Sequence, residues 1–105
     1  MSLSHQTYPN LTTASVAASG SVSLTQLTDY RRYKIVCKCT AALTWTLSAG
    51  VVATRLATIG TAAATSYVVQ GDDGPWPFAT IAWSGNAGGA AVYIDMVVDD
   101  SRQVA

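Results

Sequence analysis

From Tyr33 to Leu47 the sequence keeps a single parity. Tyr33, Ile35, Cys37 and Cys39 occupy odd positions, Arg32, Lys34, Lys38 and Thr40 even ones, and Leu43, Trp45 and Leu47 extend the odd apolar series. A period of two marks an antiparallel strand with one face in a core and the other in water. Val36 is the exception on the polar side. One straight strand over residues 30–48 spans roughly 60 Å at about 3.3 Å per residue. That is too long for a single domain of 105 residues, whose radius of gyration is expected near about 13 Å. The chain is therefore expected to reverse near residues 40–42. Facing residues of a hairpin share a face, so the reversal needs an odd-length loop or a bulge.

The rest of the chain reads as short alternating runs between small-residue turns. Candidate strands cover residues 13–18, 21–27, 30–40, 43–48, 64–70, 78–84 and 90–99. Gly85-Asn86-Ala87-Gly88-Gly89 between the last two is a hairpin signal, because Gly and Asn accept positive φ at little cost. In the final run Val92, Ile94, Met96 and Val98 are placed inward and Tyr93, Asp95 and Asp99 outward. Residues 49–63 mix helical spacing (Val52, Leu56, Ile59, Ala63) with β-prone Val51-Val52 and interleaved threonines. Gly50 and Gly60 bracket this stretch, which is assigned strand plus loop. Residues 1–12 are polar, carry a Pro9-Asn10 turn signal, and form the expected extended N-terminal arm. Residues 13–105 form one β-domain. The fold class is all-β: an antiparallel β-sandwich or a jelly-roll-like small barrel.

Chemistry is scarce along this chain. It has no glutamate, and its one histidine, His5, lies in the arm. Charged residues make up 11%, against roughly 25% in an ordinary domain. General acid–base and nucleophilic catalysis draw on His, Glu, Asp, Lys and Cys within mutual reach, so an enzyme is not expected and no catalytic residue is assigned. Six basic residues are balanced by six aspartates, which leaves no net field to steer the chain to phosphate, and direct nucleic-acid binding is not expected. Residues 1–4 offer no basic n-region ahead of an apolar stretch, so secretion is not expected. Residues 47–64 are broken by Arg55 and two glycines, which argues against a membrane span. Half of the residues are hydrophobic, yet Ala, Thr, Ser and Gly must cover most of the outside. A neutral surface of that kind favours burial against copies of itself or a scaffold.

Candidate sites are few. Cys37-Lys38-Cys39 lacks the second ligand pair of a zinc site. Two strand positions on one face suit two small buried hydrophobes, with a disulfide to a neighbouring subunit as the alternative. Gly71-Asp72-Asp73-Gly74 has too few oxygens for calcium and reads as a turn. Asp99-Asp100 reads as a solvated strand end. No metal or cofactor is expected. Pro75-Trp76-Pro77 stiffens an aromatic on a loop, so Trp76 is a candidate contact residue, or else a plug at one end of the sandwich. Either X–Pro bond is open to the cis form. Arg31, Arg32, Lys34 and Lys38 form a basic stripe whose nearest partners are Asp95 and Asp99, with an acidic scaffold as the alternative. Tyr8 and Leu11 are the candidate anchors by which the arm adds to a neighbour's sheet.

The arm, the many short strands, the small-residue faces and the missing catalytic set together resemble the small virion structural proteins of tailed bacteriophages. Within that group the chain is similar to capsid decoration, or cement, proteins. No motif aligns, so no site residue is carried over. The resemblance implies a β-sandwich or jelly-roll-like domain in the virion, assembled in the host cytoplasm. It further implies a homo-oligomer, with a trimer expected, bound to a major capsid or other virion protein and stabilising the head lattice. The alternative is a fibre or baseplate β-domain that binds a partner protein, or host carbohydrate through Trp76, Trp45 or Trp83. Trp45 and Trp83 fall on apolar strand faces and are expected in the core.

Overall fold

The computed structural model describes residues 5–12, 16–28, 30–72 and 74–99. Strand β3, Arg32–Gly50, is its spine. The alternation legible in the sequence runs through the whole of it: Tyr33, Ile35, Cys37, Cys39, Leu43, Trp45, Leu47 and Ala49 are all buried. β4, Ala57–Gly71, returns antiparallel along one edge of β3 after a turn at residues 51–56. This resolves residues 49–63 into a strand end, a turn and a new strand.

The other edge of β3 is shared by two strands lying end to end. β6, Val92–Asp99, pairs with its first half and β5, Phe78–Ser84, with its second. Outside them, β1, His5–Tyr8, pairs with β6, and β2, Gly20–Ser23, pairs with β5. The described strands thus form one antiparallel sheet, four ribbons wide. The all-β class is as expected, and its layers come from one sheet curled into a half-barrel.

Two expectations are corrected here. The chain does not reverse at residues 40–42; β3 runs on through a corner. From 38 to 43, five steps of β3 face two of β4, from 66 to 64. From 39 to 44, five steps face eight of the opposite ribbon, from 92 to 84. The β4 side therefore takes the short path round a bend, and the β5–β6 side the long one. A straight strand of this length would reach roughly 60 Å, whereas the longest extent of the molecule is 49 Å. The bulge keeps both Cys39 and Leu43 inward, as parity requires. Tyr67 of β4 lies over Gly60 of the same strand, so close that a Cβ at Gly60 would collide with its hydroxyl. Residues seven apart meet in this way only on a sharply coiled strand.

Residues 85–89 do not close a hairpin either. β5 and β6 do not pair; the segment between them is an excursion between collinear strands. Gly85 and Gly89 do take positive φ, at 90° and 68°. Buried Asn86 holds the excursion in place. Its side-chain amide donates to the carbonyls of Ala17 (3.1 Å) and Ala90 (2.7 Å), and its oxygen accepts from the Ala90 N–H (3.0 Å). The turn signal was real, and beside its local bonds to Ala90, Asn86 ties the turn to Ala17, distant in sequence.

One face of the sheet carries the core. To the β3 residues it adds Ala79, Ile81 and Trp83 from β5 and Val92, Ile94, Met96 and Val98 from β6. Leu24 and Leu27, around the 3-10 helix Thr25–Thr28, cap it.

Candidate interaction surfaces

The thiols face the core. Cys37 and Cys39 are both free and buried, beside Ile35 and Leu43 on the inward parity. Burial, with a smaller contribution from the Asp95 charge, pushes the Cys37 thiol up to about 12. Their burial favours the reading of two small core hydrophobes over a disulfide to a neighbouring subunit. Among the described residues no three His, Cys, Asp or Glu side chains gather to hold a metal ion.

The arm is corrected over residues 5–12; residues 1–4 lie outside the described residues. β1 is part of the chain's own sheet. Tyr8 and Leu11 pack against its core, and the Leu11 N–H donates to the Ile94 carbonyl at 2.7 Å. The buried Thr12 hydroxyl donates to the Val92 carbonyl at 2.6 Å. The expected turn falls at Asn10 (φ 53°), whose N–H donates to the Asp95 carboxylate at 2.7 Å. An alternating β6 edge offers this segment a partner within its own chain, which its polar sequence did not reveal.

Trp76 is half-buried against the core, and its backbone N–H donates to the Leu27 carbonyl at 2.8 Å. Its half-burial suits both expected roles, a plug at one end of the sheet and a contact residue. The Gly74–Pro75 bond is cis. Of the basic stripe, Arg32 pairs across the sheet with Asp99 at 3.7 Å, both partly exposed. Arg31 donates through Nε to the Asp72 carbonyl at 3.0 Å; Asp73 and Asp100 lie outside the described residues. Lys34 and Lys38 stand exposed on the outer face. Asp95 faces Val36 across the sheet, not a base. None of these contacts makes a catalytic arrangement.

Two features were not singled out from the sequence. The first is the distribution of charge. Among the described residues Arg31, Arg32, Lys34, Lys38, Asp72, Asp95 and Asp99 all lie on one side of the corner. Beyond it the only charged residue among those described is Arg55, in the β3–β4 turn. That half presents Thr44, Thr46 and Ser48, flanked by Thr58, Thr61 and Ala63 on β4 and by Thr80, Ala82 and Ser84 on β5. Its tip exposes Val51 (71%), Val52, Ile59 and Phe78, beside a groove of about 400 Å³ lined by Leu24, Leu56 and Pro77 among others. Charge positions along the chain carried this signal, but only strand pairing brings the neutral segments together. The second feature is the outer edge of β4. Among the described strands β3 alone pairs with it, which leaves a long row of backbone groups turned away from the sheet.

No protein-family model and no curated protein matches the sequence. Among solved structures the chain is similar to the Yersinia pseudotuberculosis-derived mitogen, with a TM-score of 0.52 and 11% identity over 99% of this chain and 88% of that one. It is also similar to the Tobacco streak virus coat protein in its dimer, with a TM-score of 0.52 and 11% identity over 98% and 89% of the two chains. The likeness is one of fold alone.

Proposed function

We propose that this chain is a non-enzymatic virion structural protein, a capsid decoration or cement protein that binds the outer head lattice as a homo-oligomer. The observation that carries this reading is the neutral half of the sheet, with its exposed valines, Ile59 and Phe78. A surface without charge gains little from water and loses little when another protein covers it. A half-barrel fold shared with a viral coat protein is consistent with the reading. Reinforcing a lattice needs only shape and apolar contact, and the neutral half of the sheet supplies both. In the fibre or baseplate alternative, the carbohydrate reading depends on Trp76, with Trp45 and Trp83 expected in the core. Trp45 and Trp83 are buried and Trp76 is half-buried, which leaves one partly exposed tryptophan to support the sugar reading.

The test is co-sedimentation of the purified chain with heads of the encoding virus assembled without it. Binding should saturate at a fixed number of copies per head and raise the temperature at which the heads rupture. Heads that neither bind the chain nor gain heat resistance would rule the proposal out.

A further inference from the structure

We propose that the outer edge of β4 pairs with the same edge of a second copy, antiparallel, about a two-fold axis at Val68. The proposal gives the self-association in the functional reading a surface, and in that respect rests on it.

The edge is built for pairing. Over residues 66–71 β4 keeps an unbroken register with β3, from Lys38↔Ser66 to Tyr33↔Gly71. Sheet edges are ordinarily protected by charge, proline, bulges or brevity. β4 has no charged residue and no proline, and spans 15 residues. Its bulges lie elsewhere, at the corner and between Leu47 and Ser48. The opposite edge of the sheet consists of β1 and β2, four residues each.

The occupant follows from the order of side chains. Ser66-Tyr67-Val68-Val69-Gln70 is palindromic in polarity about Val68. In a two-fold pair centred there, Val68 meets its own copy, Tyr67 meets Val69, and Ser66 meets Gln70. A two-fold interface requires each patch to complement itself, which a foreign strand would not demand. Val68 is 57% exposed, and Tyr67 and Val69 are half-buried on the core side. A neighbouring strand would cover the first and complete the burial of the others, while pairing the free backbone groups. Charge does not oppose it. Lys38 lies beside Ser66 and Lys34 beside Gln70, so lysines of the two copies stand three strand spacings apart, about 14 Å. That is beyond the screening length of about 8 Å at physiological salt.

The experiment uses the full chain with substitutions at Val68 and sedimentation velocity over a concentration series. Val68→Lys places two like charges on the axis and should weaken the dimer by about tenfold or more. Val68→Asp should do the same, and an equimolar mixture of the two should restore association, which misfolded chains would not. Val68→Cys should form a symmetric disulfide under mild oxidant, since antiparallel partners lie about 4.5–5.5 Å apart; Ser84→Cys on β5 should not. Association unaffected by Val68→Lys, or no rescue and no cross-link, overturns the pairing even if the chain still self-associates. Monomers that bind heads overturn it and leave the decoration role standing. Loss of head binding in Val68→Lys without a Val68→Cys cross-link would give the edge to a head protein and also overturn it.

Discussion

Trp45 sits where three ribbons meet, opposite Ala62 of β4 and Trp83 of β5, with no exposed surface. Its indole N–H donates to the Ala64 carbonyl at 2.9 Å, at the inner side of the corner. Trp45→Ala removes the largest fully buried side chain and leaves that carbonyl without its donor. It should cost roughly 3–5 kcal/mol, read as a lower urea midpoint at unchanged slope. Cys37 gives a pH signature. Its thiol is raised from 9.0 to about 12 by burial first and the Asp95 charge second. Above pH 9 the unfolded chain loses this proton while the folded chain keeps it, so the unfolded state binds fewer protons and stability falls as pH rises. The full contribution is present below pH 9 and is lost progressively toward 12. Tyr67, also raised by desolvation and then by Cys37, acts in the same direction from above 10.0. Urea titrations from pH 8 to 11 should show the decline, and Cys37→Ala should flatten it. An unchanged slope in that variant would assign the decline to other groups.

At the scale of elements, β1 and the excursion between β5 and β6 are held by contacts distant in sequence. Tyr8 on β1 covers the core beside Met96. Deleting residues 2–10 should therefore cost the isolated domain about 2 kcal/mol, the burial of one aromatic side chain. An unfolding midpoint equal to that of the full chain would show that β1 adds nothing to the fold. Polar composition alone argued for a loose arm. What decides otherwise is the free edge of β6, where Leu11 and Thr12 find backbone acceptors. Residues 85–89 make the same point. Their glycines accept the φ values of a tight turn, yet Asn86 spends its hydrogen bonds on Ala17 and Ala90 and the strands stay collinear.

At the scale of the whole molecule, the described residues separate a charged end from a neutral one. If the neutral half is what docks, attachment to heads involves few ion pairs. Raising salt from about 50 to 500 mM should then change the affinity by less than about threefold, because screening acts only on charges near the contact. A steep loss instead would bring the end bearing Arg31, Arg32, Lys34 and Lys38 forward as the docking surface. The pair Arg32–Asp99, at 3.7 Å and partly exposed, adds at most about 1 kcal/mol, so that ion pair contributes little to the fold.

Side-chain direction was legible from the sequence because it is local. Parity along 33–47 and 92–98 named the inward residues, and residues 78–84 emerged as a strand with the same bounds. The buried thiols, Trp45 and Trp83 followed from the same rule. Which edge each strand joins is not local. Hydrogen bonds along a ladder are alike whatever their partner, so the pattern of 78–84 and 92–99 is the same in a hairpin and in two collinear strands. The choice fell to the core, where a sheet must curl to enclose Trp45, Ile81 and Ile94. Curling requires unequal path lengths round residues 40–42, and hence the long way across β5 and β6. Only that tertiary bend gathers the uncharged segments onto one half and leaves the outer edge of β4 open.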